Sequence, residues 1–291
     1  MTKILIGIDG SERGDRALEW ACSYADEITQ AGEEAQLTLL SIFTPTPLQG
    51  NLNEETIKKA MEDSLAEKVQ EVVKKHPGLK AEGKVAKGGI VEKLADAANE
   101  QDMVVLGSHH GSTIGQTIGG ARGLRVAIAV KVPTVVVPVD WEYSKDKTGI
   151  IVGVGLDTVS DSAVSFGVSE AKKTNQPLKL VTAWGLPAFL NKPAEVMGGG
   201  LGPVGEQAQQ RLDARLASIQ EQNEGLQVEA EAVEGSSPTR VLVSYSKDAK
   251  MLVLGTHSFN MLGRTLFGSV VHSVLLNLSL PTVVVPENGK A

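Results

Sequence analysis

Thiol chemistry is nearly absent from this chain of 291 residues, which holds one cysteine, Cys22. A lone cysteine cannot form an internal disulfide, and its place in the apolar stretch 17–25 predicts a small packed core residue. No apolar run approaches the roughly 18 residues that a spanning helix needs. The first run, Lys3–Ile8, reads as a strand and not as a signal segment, so the expected address is the cytoplasm, with no membrane partner. Basic charge is also short, since 28 Lys and Arg stand against 35 Asp and Glu, a net charge of −7. That balance argues against non-specific binding to nucleic acid, which needs a basic surface to displace counterions. Phosphate ligands would have to be held by backbone amides. There is no Gly-Lys-(Ser/Thr) phosphate loop and no Gly-x-Ser-x-Gly nucleophile elbow. His109, His110 and His257 have no acidic or cysteine partner at ligand spacing, so no metal is expected. A fast ATPase is not expected either, because phosphoryl transfer needs a placed cation and an oriented water.

What the chain does have is a repeat. Residues 103–138 and 251–286 align without a gap at an offset of 148, with 15 of 36 positions identical. Upstream, ILIGIDGSERGDRAL from Ile4 echoes IIVGVGLDTVSDSAV from Ile150. The repeat unit is about half the chain, far longer than a solenoid repeat and long enough for a core of its own. The expected domains are therefore 1–139 and 149–291, joined by a polar linker at 140–148.

Each copy alternates short apolar, β-branched runs with stretches of helical spacing. In the first, strands are expected at 3–8, 37–43, 81–86, 103–106 and 133–138, and helices at 15–30, 90–99 and 120–130. A further helix carries the stripe Ile57, Met61, Leu65, Val69, Val72 and Val73, ending at His76-Pro77-Gly78. In the second, strands are expected at 150–154, 178–184, 227–233, 251–254 and 281–286, with helices at 161–174, 206–222, 238–247 and 268–278. Alternation of this kind predicts an α/β fold: two tandem, open, parallel five-stranded sheets with helices on both faces, Rossmann-like in type. A Gly- and Pro-rich loop at 185–205 is longer than its counterpart at 44–53, and is read as a disordered or surface excursion.

In such a sheet ligands bind at the carboxyl ends of the strands, beside the switch point of strand order. Two features fall there in each copy. One is the turn after the first strand, where Asp9 and Ser11 stand in the first copy and Gly155 and Asp157 in the second. The other is the glycine-rich segment after the fourth strand, which runs into the start of the last helix: Gly107, His110, Gly111, Gly120 and Ala121, against Gly255, Thr256, Ser258, Gly268 and Ser269. A helix amino terminus has unpaired amides and the positive end of the helix dipole, so it can hold an anion with no basic side chain. The plainer alternative is that these glycines merely turn the chain.

The Asp-Gly-Ser turn at one end and the Gly-x-x-Gly, nine residues, Gly-Ser pattern at the other resemble the universal stress protein family, in tandem two-domain form. That resemblance implies an adenine-nucleotide site, ATP above all, with the loop holding phosphates and the aspartate the nucleoside. It also implies a non-catalytic cytoplasmic module that binds or senses nucleotide in a stress response. A nucleotide-free interaction scaffold and an adenylating or ATP-hydrolysing enzyme are the alternatives. Neither copy has the full pattern. Ser258 replaces the second glycine and Gly155 the aspartate in the second copy, while His110 and Ala121 replace glycine and serine in the first. A serine at a positive-φ position costs about 1 kcal/mol, and a lost hydroxyl donor about 0.5–1.5 kcal/mol. The second copy is therefore the better anion site, and the first retains the aspartate.

The terminal strands 133–138 and 281–286 are apolar, and apolar edges are rarely left unpaired. The two copies are expected to pair through them about a pseudo-twofold axis, with a homodimer of the whole chain as the larger unit. NMR relaxation should give both halves one rotational correlation time; two independent times would refute the pairing.

Overall fold

The run TKILIGI carries apolar residues in unbroken succession at Ile4, Leu5 and Ile6, as a strand covered on both faces should, and in a computed structural model of the chain it forms β1 (Thr2–Ile8), with those three fully buried. The structure describes residues 1–45, 53–108, 125–127, 129–155, 160–185, 202–256 and 268–287. They make two units, Met1–Tyr143 and Ser144–Glu287.

In the first unit β1 is followed by α1 (Glu12–Gln30), β2 (Ala35–Phe43), α2 (Glu54–Lys75), β3 (Lys80–Lys87), α3 (Ile90–Ala98), β4 (Met103–Ser108) and β5 (Thr134–Pro138). Strand order is β3-β2-β1-β4-β5. All pairs are parallel, with Ile4 opposite Leu37 on one side and Met103 on the other. In the second unit β6 (Ile150–Gly153), α4 (Ser160–Lys173), β7 (Leu178–Trp184), α5 (Gly202–Gln222), β8 (Val228–Glu234), α6 (Pro238–Tyr245), β9 (Met251–Thr256), α7 (Ser269–Leu276) and β10 (Thr282–Pro286) repeat the order, giving β8-β7-β6-β9-β10. The α/β class and the parallel sheets are as the alternation of the sequence requires.

Several boundaries differ from the sequence reading, and at four of them the structure shows the reason. Helix α1 starts at Glu12 and not at 15, because Ser11 caps it by accepting from the Gly14 amide, with Glu12 and Asp15 favourable in the first turn. Helix α5 starts at Gly202, so the end of the long loop is helical, and the Trp184 ring at the end of β7 packs against Gly205. Residues 186–201 of that loop lie outside the described residues. Strands β4 and β9 each run two residues further, to Ser108 and Thr256, because their neighbours keep pairing: Gly107 lies opposite Val137, and Gly255 opposite Val285. Of the helix expected at 120–130, residues 125–127 and 129 are described as helical.

The core of the first unit joins Leu5, Leu40, Val104 and Leu106 of the sheet to Leu94 of α3 and to Val126 and Val130. On the opposite face α1 buries Ala17, Ala21, Ala25 and Ile28, and Trp20 stacks on Tyr24 with ring centroids 5.3 Å apart. Cys22 lies on the same helix, 3% exposed. Burial pushes its thiol up to about 12, with Asp26 and Glu19 adding to the shift and Lys75 opposing it. Among the described residues no helix is long and apolar enough to cross a membrane.

The raised thiol has a defined sign. The native state keeps its proton where the unfolded chain would lose it, so stability is unaffected below about pH 9. Above that it falls by up to ~1.4 kcal/mol per pH unit until about pH 12. Iodoacetamide should modify Cys22 at neutral pH only as fast as the protein unfolds, and Cys22→Ala should flatten the alkaline limb of a urea-monitored stability profile. Rapid labelling of the native protein would contradict this placement.

Candidate nucleotide site

In each unit the chain runs outward from the first strand to one edge and returns to the other side, so the switch point lies between β1 and β4 and between β6 and β9. At the β1 tip the Asp9 carboxylate accepts from the Ser11 amide at 3.1 Å and from the Ser11 hydroxyl. Arg13, one helical turn on, brings a guanidinium nitrogen to 3.5 Å from Asp9 and donates from Nε to Ser11 Oγ at 3.3 Å. Asp9 keeps 60% of its side chain exposed. The turn is thus pre-ordered, and it carries a cation that the sequence reading missed; the four-residue spacing of Asp9 and Arg13 was the available signal.

The neighbouring strand tip is built against this turn. A Cβ on Gly107 would lie 2.1 Å from the Arg13 carbonyl oxygen, so only glycine lets β4 pass under the start of α1. Packing therefore accounts for Gly107 whether or not a ligand binds. His110, Gly111, Gly120 and Ala121 lie outside the described residues, as do His109 and His257.

The second unit solves the same turn differently. Gly155 stands where Asp9 does, and its amide donates to the Ser160 hydroxyl at 2.7 Å. Ser160 is 5% exposed, a pinning residue that the sequence reading did not single out. Thr182 Oγ1 donates to the Val154 carbonyl at 3.0 Å, and Ser162 Oγ to the Glu287 carbonyl at 2.5 Å, fixing the ends of β6 and β10. Asp157 and Ser258 lie outside the described residues. Gly255 and Thr256 are the last residues of β9, and Thr256 is buried, its carbonyl accepting from the Glu287 amide at 2.9 Å.

Helix α7 begins at Ser269, with Gly268 as its cap residue. No side chain caps it, and its first turn holds no acid. Ser269 is exposed, and a Cβ on Gly268 would meet nothing within 4 Å. Gly268 has φ −58°, so conformation does not demand glycine there, nor does packing among the described residues. The first amides of a helix have no partner within the helix, and with no side-chain cap here such a terminus suits an anion. Among the described residues no group of three or more His, Cys, Asp or Glu could hold a metal ion.

The duplicated switch points, with an Asp-Gly-Ser turn in one unit and an uncapped Gly-Ser helix start in the other, coincide with a known pattern. The model of the Universal stress protein family matches residues 1–138 and again 148–286. The chain belongs to the universal stress protein family. A universal stress protein of Mycobacterium tuberculosis is 25% identical over 296 residues, covering 98% of this chain and 97% of that one. Another, from Mycolicibacterium smegmatis, is 32% identical over 155 residues, or 51% of each chain. The crystal structure of a universal stress protein from Archaeoglobus fulgidus has the same fold across 98% of both chains, with a TM-score of 0.72 at 18% identity.

The two site glycines should respond in opposite ways. Gly107→Ala forces a backbone clash and should cost about 3 kcal/mol in urea unfolding. Gly268→Ala should cost no more than about 1 kcal/mol, the usual price of alanine at a cap. Equal losses would show that Gly268 is structural after all.

Proposed function

We propose that this universal stress protein is a cytoplasmic, non-catalytic module that binds or senses an adenine nucleotide, ATP above all, within a stress response. Family membership supports the stress-response role. The observation that carries the nucleotide reading is the α7 start, a helix terminus with no side-chain cap, no acid in its first turn and, among the described residues, no atom within 4 Å of a Cβ on Gly268. Its amides and the Ser269 hydroxyl would take the phosphates, and Gly268 would let them approach the backbone. In the first unit Asp9 offers a carboxylate to a ribose or an adenine amine, and Arg13 adds positive charge at the same mouth.

A second reading, a nucleotide-free scaffold, is favoured by one feature of that first unit. Asp9 already has partners in Ser11 and Arg13, and Gly107 is explained by packing. A ligand there would have to compete with bonds already made.

Calorimetric titration with ATP separates these readings. The wild type should bind, Gly268→Val should abolish the main heat, and Asp9→Asn should weaken a minor component. Ala121→Ser should tighten the first site by about 2- to 13-fold, the value of one restored donor. Loss of all heat in the Asp9 variant with none in the Gly268 variant would move the site to the first unit. No heat for wild type at millimolar ATP would leave the scaffold.

A further inference from the structure

The outer strands β3 and β8 occupy the same place in the two units, yet one is closed and the other is open. On β8 the side chain of Gln209, from α5, reaches over the edge. Its Nε2 donates to the Ala230 carbonyl at 3.4 Å and its Oε1 accepts from the Ala232 amide at 2.8 Å. One amide side chain thus occupies the donor and the acceptor that a further strand would use.

The residue in the same place in the first unit is Glu62. At an offset of 147 Leu65 matches Leu212 and Val72 matches Ile219, all four buried. Lys68 matches Arg215, each ion-paired to the aspartate of its own first helix, Asp15 or Asp161. Strand pairing gives the same offset for the edge, because Ala81 and Val228 lie opposite the equivalent Leu37 and Leu178, so Gly83 and Val85 stand where Ala230 and Ala232 do. A carboxylate can accept from the Val85 amide but has nothing to donate to the Gly83 carbonyl. Glu62 instead pairs with Lys58 on its own helix at 3.5 Å.

The Gly88 amide donates to the Phe43 carbonyl, so on β3 the even-numbered peptide groups face β2 while Gly83 and Val85 face outward. Among the described residues β3 pairs with β2 alone. Beside it lies an open groove lined by Glu62, Leu65, Val69 and Gln70 of α2 and by Gly83 and Val85. A Cβ on Gly83 would come within 2.9 Å of Leu65, so the groove wall leans over the strand at that point. The apolar stripe of α2 is also incompletely covered, with Val73 42% exposed.

We infer that β3 is a strand-addition edge whose occupant is β3 of a second copy, running antiparallel about a twofold axis at Gly83. In that register Gly83 pairs with its mate and Ala81 with Val85, using the amides and carbonyls that Glu62 leaves open. Glu82 of each copy falls opposite Lys84 of the other, twice. Lys84 is exposed and Glu82 half-buried, accepting also from Thr38 Oγ1 at 3.2 Å; the two already pair within the strand at 2.8 Å, so the exchange keeps each charge partnered. Moving the axis to Lys84 or to Glu82 sets each against its own like, and an axis at Ala81, which sets Glu82 against Lys80, overlaps only residues 80–82 of the strand against 80–86 at Gly83, so charge order and overlap together select the register. The side chains entering the groove are then those of Gly83 and Ala81, small enough to pass beneath α2. Edge lysines ordinarily discourage pairing, but here the central ones meet acids. Strand β8 has Glu229, Glu231 and Glu234 with no base, and Gln209 across it, so this mode of assembly ends at two.

Sedimentation equilibrium of the full chain tests this. The wild type should dimerise in the micromolar range, and Lys84→Glu, which makes two acid–acid contacts, should weaken the dimer about tenfold or more. The double exchange Glu82→Lys with Lys84→Glu should restore it to within about threefold of wild type. Glu62→Gln, which supplies the amide that closes β8, should also favour the monomer. A wild type that stays monomeric throughout, or a dimer indifferent to Lys84→Glu and Glu62→Gln, overturns the inference.

Discussion

Everything in each half hangs on one strand held between two parallel neighbours. β1 lies between β2 and β4, and β6 between β7 and β9, with Ile4, Leu5, Ile6, Ile150 and Val152 completely buried. Each such side chain is worth about 1.5–3 kcal/mol of burial, and parallel neighbours oblige the chain to cross over by a helix each time. The crossovers carry helices to both faces. They also leave the tips of the central strand and its returning neighbour side by side, which is where the Asp9 turn and Gly107 meet. The site is a consequence of the pairing order, and Gly107 is the contact at which the sheet and the first helix fix each other.

Duplication has left the framework nearly constant while the periphery diverged. The ion pair between the first and second helices survives as Lys68–Asp15 and Arg215–Asp161. The turn after the first strand does not: a carboxylate, a hydroxyl and a guanidinium order it in the first half, and a buried serine hydroxyl in the second. Each solution satisfies the backbone locally, so either half can lose the other's polar group without loss of fold. The outer edges diverged by the same logic, where glutamate for glutamine removes one donor and changes what the edge can accept.

The parallel α/β order was legible because buried strands such as TVVVP have no polar alternation and helices such as α1 have a periodic apolar face with a serine cap. Boundaries were less so. The extension of β4 through Gly107 depends on Val137 continuing to pair across from it, and the early start of α5 on the Trp184 ring lying against Gly205. Neither contact is local in sequence. At the candidate site, Asp9, Ser11, Gly255, Gly268 and Ser269 were singled out from motif spacing, while Arg13 and Ser160, which order the two turns, were not, because their contacts come from the direction of a side chain.

Sequence alone determined the duplication, the strand and helix order, and the chemical types at the two switch points, since these depend on periodicity and on residue identity. Tertiary structure decided which of those residues are already engaged within the fold. Asp9 is engaged by Ser11 and Arg13, Gly107 is held by packing, and Gly268 has no described residue crowding it. It decided also that Gln209 closes one edge strand while Glu62 leaves the other open. The physical reason is the same in each case: a hydrogen bond or a close approach is set by distance and direction between segments far apart in the chain, which composition and spacing do not encode.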